Sequence, residues 1–246
     1  MRLYFLIAVF VTILISTTTS HACTCASMPS GNPACQAYGY TPVIFSGKVV
    51  EISSDEGQFG LSGGDRHVKF AIEEAFKGIS GQTTEVSTPV QSSACGYPFK
   101  LGESYLVYTN QDKTVGLCGR TIPLSGAADD LAYFRSLPTL KPLGSISGIF
   151  YGTSNENGEQ ASPLPRLRGF KVTAEGPKGT IETRTDEKGQ YRFADLEPGD
   201  YTVKLFSPAG FLPLKKEHKI LVFAKGCSLF DDAFILTPSP AEKPKN

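Results

Sequence analysis

Residues 189–208 read GQYRFADLEPGDYTVKLFSP. Apolar and polar residues alternate through QYRFADL and again through DYTVKLF, the two-residue period of strands with one buried face. Between them, EPGDY sets Pro198 and Gly199 where a tight turn needs a fixed φ and then a residue free to reverse it. Upstream, DEKG ends on Gly189, whose left-handed freedom suits a hairpin. Working outward, SISGIFYG (145–152), GFKVTAEG (169–176), GTIETRT (179–185), HKILVFA (218–224) and SLFDDAFIL (228–236) share this length and punctuation, with one polar loop, TSNENGEQASPLPRL. Short strands joined by turn residues predict a small β-sandwich over residues 143–237.

The first half is also read as strands. VIFSGKVVEI (43–52) and RHVKFAIEEAF (66–76) alternate, TTEVSTPV, SYLVYT and VGLC follow, and the glycine-rich SDEGQFGLSGGD is a flexible connection or hairpin tip. GAADDLAYFRSL places Leu131, Phe134, Arg135 and Leu137 at helical spacing and supplies the one helix expected. The helix stops at Pro138, and the stiff stretch PTLKPLG puts a boundary near Lys141, giving a first domain over 23–140. The tail over 238–246 is proline-rich and charged and is expected to be disordered.

Arg2 followed by LYFLIAVFVTILI and STTTSHA reads as a signal peptide over residues 1–22. The apolar run is shorter than the about 20 residues a spanning helix needs. Cleavage after Ala22 would leave Cys23 first, and the mature chain would be secreted or held in the cell envelope. All six cysteines follow that point, and in an exported chain an even number favours disulfides over zinc ligands. Lysine plus arginine balance aspartate plus glutamate at 24 each with no long run of one sign, which argues against nucleic acid and against an anionic membrane surface.

No enzyme and no cofactor are expected. The histidines are His21 in the signal, His67 and His218, and no nucleophile or acid motif accompanies them. His67 and His218 read as surface or half-buried strand residues. Asp195, Asp200, Asp231 and Asp232 read as solvated turn carboxylates, since no EF-hand ligand series is present. Absence of tryptophan leaves no clear sugar platform, so carbohydrate is kept only as an alternative partner.

The stretch from Cys23 to Cys35, CTCASMPSGNPAC, begins Cys-x-Cys and reaches a third cysteine nine residues later. With VIFSGKVVEI, FAIEEAFKG, SSACG (92–96), LGESYLVYT and GLCGRTIPL following in order, residues 23–137 resemble the inhibitory domain of tissue inhibitors of metalloproteinases. That resemblance implies a netrin-like OB-fold barrel with a flanking helix. The fold class is therefore mainly β: an OB-fold barrel followed by a small β-sandwich. The resemblance also implies the disulfides Cys23–Cys95 and Cys25–Cys118. Cys35 lacks the family's partner, which leaves Cys35 and Cys227: bonded, they staple the two domains together; unbonded, they are free thiols. The bonded pair is the preferred reading.

In that family the α-amine and carbonyl of the first residue chelate the protease's catalytic zinc. Carried over, the chelating residue is Cys23, with Thr24 pointing into the specificity pocket, Cys25 beside it, and Ser92, Ser93 and Ala94 forming the adjacent ridge. The implied partner is a zinc metalloproteinase. If Cys23 is instead lipidated, its amine is acylated, chelation is lost and the chain becomes membrane-attached. The second half resembles the carboxypeptidase regulatory-like or collagen-adhesin B-type sandwich of bacterial surface proteins. The alternative function is thus a non-inhibitory extracellular or cell-envelope scaffold that binds protein or carbohydrate through either β domain.

Overall fold

The computed structural model describes residues 23, 25, 31–55, 64–90, 95–153, 166–208, 211–213 and 215–236. Helix α1 (Ala34–Tyr40) leads into strands β1 (Val43–Ser54), β2 (Asp65–Lys77), β3 (Thr83–Pro89), β4 (Ser104–Thr109) and β5 (Ile122–Pro123), and then helix α2 (Ala128–Ser136). The strands form one sheet in the order β3-β2-β1-β4-β5. The sheet closes on itself after the turn that follows β4. Ser87 in β3 donates its N–H to Lys113 O at 2.9 Å, and Val115 returns a bond to Ser87 O, a parallel bridge of Ser87 with Thr114. A closed, strongly coiled five-stranded sheet with a flanking helix is the OB-type barrel.

The sequence of β1 and β4 explains where the helix sits. Both strands are apolar on successive residues, and both are buried for five residues in a row. Phe45 and Val107 point into the barrel with Val68, Phe70, Val86, Phe99 and Tyr105. Ile44, Leu106 and Tyr108 point outward and are covered by Ala34 and Ala37 of α1 and by Leu131 and Phe134 of α2. A sheet buried on both faces needs a second apolar layer, and the two helices supply it.

Strands β6 (Gly144–Thr153), β7 (Lys171–Gly176), β8 (Gly179–Arg184), β9 (Gln190–Leu196), β10 (Gly199–Phe206), β11 (Phe211–Pro213), β12 (Glu217–Val222), β13 (Cys227–Leu229) and β14 (Asp232–Leu236) build the second half. One sheet runs β12-β10-β7-β8; the other runs β11-β14-β6-β13 with β9 also on β6. Their facing sides enclose Ile146, Phe150, Phe170, Val172, Tyr191, Phe193, Val203 and Phe234. Inward residues recur at the two-residue period in Tyr191 and Phe193 and in Tyr201, Val203 and Leu205. Replacing the fully buried Ile146 by valine is expected to cost about 1 kcal/mol in denaturant unfolding. No measurable loss would mean that this strand is not packed as described.

Four sequence expectations need correction. The turn DEKG does not close a hairpin: β8 pairs with β7, β9 with β6, and β10 with β7 and β12, so DEKG, like the tight turn EPGD after it, carries the chain from one sheet to the other. Asp186 nevertheless braces the first turn, accepting bonds from Lys188 N and Gln190 N at 2.8 Å, and Gly189 takes φ 71°. VGLC is not a strand, because Gly116 makes only an isolated bridge with Gly96 and Leu117 turns away. A helix at Ala34–Tyr40 was not expected, since seven residues are too few to show a repeating apolar face. SLFDDAFIL is two strands, broken where Phe230 N bonds Ser147 O.

Candidate functional site

The first candidate region is the cystine-bound end of the barrel. Cys23 is bonded to Cys95 and Cys25 to Cys118. Cys95 adopts φ 58°, a left-handed conformation that non-glycine residues rarely hold, and its carbonyl accepts Leu117 N at 2.7 Å. Next to it, Tyr97 N bonds the buried hydroxyl of Thr88 at 2.7 Å. These bonds fix the backbone around both half-cystines. Thr24, Ser92, Ser93 and Ala94, which the resemblance assigns to a protease contact, lie outside the described residues, as do residues 1–22 and 238–246.

A groove of about 770 Å3 runs beside this end, between α1 and residues 108–120. Tyr108 and Arg120 line it, and they belong to a charged cluster that sequence reading missed. Arg120 reaches the Asp130 carboxylate through Nε at 2.8 Å and Nη2 at 2.5 Å, and its Nη1 donates to Asn32 O. Tyr108 donates its hydroxyl to the same carboxylate at 2.5 Å. Burial, with Asp130 beside it, pushes the Tyr108 hydroxyl far above its ordinary range, so it stays a donor. Asp130 lies in the first turn of α2, where a carboxylate also meets the positive end of the helix. The only sequence signal was the Asp129-Asp130 pair opening the helical pattern, which says nothing of a partner ten residues upstream.

The second region is the seam between the two halves. Cys35 on α1 is bonded to Cys227 on β13. Around that bond Tyr133 donates to Lys225 O, Lys225 Nζ donates to Leu137 O at 2.7 Å, and Lys225 N to Leu143 O at 2.9 Å. Lys225 holds φ 60°. Tyr40 meets Phe223 edge-on at 4.8 Å between ring centroids. Phe223 lies so close to Gly39 that a Cβ there would come within 2.6 Å of its ring, which explains glycine at that position. Lys77 from β2 closes the other end of α1, donating to Tyr38 O at 2.5 Å and to Gly39 O at 3.2 Å. A cation on the last carbonyls of a helix satisfies groups that have no partner within it.

His67 stands in β2 between Asp55 at the end of β1 and Glu85 in β3. Its Nε2 is 3.1 Å from Asp55 Oδ1 and its Nδ1 is 3.3 Å from Glu85 Oε1. A neutral imidazole can donate from only one nitrogen, so this double engagement belongs to the imidazolium. The hydrogen bond to Asp55, with both carboxylate charges, raises the His67 pKa above its ordinary 6.5. A raised folded pKa stabilises fully below 6.5, and that contribution is lost as pH rises through the folded value. Proton NMR is expected to give a His67 midpoint above 6.5 that falls on Asp55→Asn. A midpoint indifferent to that change would contradict the pairing. Asp55 and Glu85 lie on opposite sides of the ring and do not converge on one metal position, and among the described residues no His/Cys/Asp/Glu cluster suits a metal ion.

The expectation for the aspartates is also corrected. Asp232 is 7% exposed, and Asp195 lies inside β9 with φ 53°. Asp232 Oδ2 is 3.3 Å from His218 Nε2, an ion-pair separation rather than a well-aligned hydrogen bond. Burial raises the Asp232 pKa, with His218 opposing. The pair spans the two sheets, since β12 carries the histidine and β14 the aspartate. His218, whose ring centroid is 4.1 Å from that of Phe230, is thus a packed strand residue.

Residues 144–219 match the SdrD B-like domain. Part of the chain is also similar to proteins of Staphylococcus aureus. The bone sialoprotein-binding protein of strain MRSA252 and serine-aspartate repeat-containing protein E of strain MSSA476 are each 30% identical over 101 residues. That span is 39% of this chain, and the chain covers only 8% of the length of either relative. Among solved structures, GBS52, the minor pilin of Streptococcus agalactiae, aligns at 14% identity and TM-score 0.34 over 87% of this chain and 89% of that one.

Proposed function

We propose that this chain is an exported, non-enzymatic scaffold of the cell surface or extracellular medium. In it a barrel over residues 23–140 and a B-like sandwich over 143–237 together present a surface to another extracellular protein. The observation that carries this reading is the match of residues 144–219 to the B-like domain, in a chain whose described cysteines are all paired. Paired cysteines suit an oxidising compartment, and one relative of the chain is named for binding a protein, bone sialoprotein. Carbohydrate is the alternative ligand. Fractionation of the producing cells tests the export: the chain should be recovered in the medium or envelope, shortened by about its first 22 residues. Recovery in the cytoplasm at full length would end the reading.

A second reading, inhibition of a zinc metalloproteinase, is favoured by one observation: both cysteines of the Cys-x-Cys start are bonded to the barrel. If processing leaves Cys23 first, its α-amine and carbonyl would be held rigidly beside Cys95, and a preorganised chelate loses little freedom on binding. The chelating form of an amine with an ordinary pKa of about 8 is the neutral one, so inhibition should weaken as pH falls. Thr24 would enter the specificity pocket and Ser92, Ser93 and Ala94 would flank it. Titration of purified zinc proteases decides this reading. Adding one alanine before Cys23 should abolish any inhibition, and intact mass showing an acylated Cys23 would rule the mechanism out.

A further inference from the structure

We propose that the chain is a tension-bearing strap, in which load entering upstream of Cys35 and leaving downstream of Cys227 crosses a single disulfide and bypasses nearly everything between them. The inference rests on the exported reading only in needing that bond oxidised. Cys35 and Cys227 are 192 positions apart, and the intervening chain holds all five barrel strands, both sandwich sheets up to β12 and helix α2. Once the bond exists, that chain is a side loop: a pull along the backbone reaches the shorter covalent route first.

Four further features suit this route to load. Cys227–Leu229 and Asp232–Leu236 are already extended strands, and an extended strand is close to the about 3.3–3.6 Å per residue that the backbone can reach, so little slack remains. Both strands run parallel to β6, through Cys227 to Ser145 and Asp232 to Phe150, and that pairing holds them extended before any load arrives. At the other end, Cys35 sits on a helix whose Ala34 and Ala37 are buried against Ile44 and Leu106 and whose last carbonyls are held by Lys77. The Lys225 and Tyr133 bonds beside the cystine keep the two anchor points together.

Stretching the whole processed chain between handles at its two ends tests this. The oxidised protein should lengthen to no more than about 150 Å even when fully unfolded, because only the segments outside Cys35 and Cys227 can extend. The Cys35→Ser/Cys227→Ser variant should reach about 450 Å, where the Cys25–Cys118 bond becomes the limit, and the fully reduced chain about 800 Å. Should that variant not fold, the oxidised protein held at constant force in dithiothreitol gives the same answer. There a reductant thiolate attacks one sulfur of the loaded bond, forms a mixed disulfide and releases the other cysteine as a thiolate. The first step should be about 300–350 Å, because the other two bonds carry no load until this one opens. An oxidised chain that extends to 450 Å, or a first step of another size, would overturn the strap. Neither result bears on export, which fractionation judges separately.

Discussion

Replacing Cys35 and Cys227 together by serine is expected to lower stability by about 5 kcal/mol and to split one thermal transition into two. The magnitude follows from loop closure: a crosslink across 192 positions removes more freedom from the unfolded chain than either of the others, which span 72 and 93. The splitting follows from packing. The barrel and helix residues and the sandwich residues form separate apolar clusters, and beyond the disulfide the seam rests chiefly on the Lys225 and Tyr133 bonds and the Tyr40–Phe223 edge. Those contacts are too few to keep two cores melting together. Calorimetry of the oxidised protein and the variant measures both effects. A variant that still unfolds in one transition at an unchanged midpoint would show that the bond adds nothing to the coupling.

Asp130→Ala should cost about 3–5 kcal/mol, as much as a deep core truncation. The carboxylate is 5% exposed and accepts bonds from Arg120 and from Tyr108. Removing it strands the buried Tyr108 hydroxyl and leaves the partly exposed Arg120 guanidinium without its anion, and a buried donor without an acceptor costs more than the bond was worth. Replacing all three together by apolar residues of similar size should recover much of the loss, since the desolvated charges go as well. Urea denaturation of the single and triple variants distinguishes these outcomes. If the single change costs less than about 1 kcal/mol, the cluster is better hydrated than the geometry implies.

Much of this architecture could be read from the chain, and the failures have physical causes. Alternation in QYRFADL and DYTVKLF marked two strands correctly, because the two-residue period is a local property. It could not assign them to sheets: a short turn between strands looks alike whether the strands pair or cross a sandwich. The two-sided burial of β1 and β4 was not read from the sequence, where VIFSGKVVEI passed as an alternating strand, and the covering helix α1 was hidden because Ala34–Tyr40 is too short to show a repeating apolar face. Cys23–Cys95 and Cys25–Cys118, implied by family resemblance, are pairs the structure joins, as is the remaining pair. The Arg120–Asp130–Tyr108 cluster could not be assembled from the sequence, since its members come from three segments that only the barrel brings together. Asp232 was misread because DD between two apolar runs looks like a turn, whereas the register of β14 on β6 buries the second carboxylate.

One covalent link joins the two halves: Cys35 on the helix before the barrel is tied sulfur to sulfur to Cys227 on β13 of the sandwich. Proteolysis of the exported protein without reductant, followed by mass spectrometry, reads this directly. The prediction is a single crosslinked product carrying Cys35 with Cys227, alongside products joining Cys23 with Cys95 and Cys25 with Cys118. Recovery of Cys35 and Cys227 in separate peptides, each open to alkylation, would contradict it.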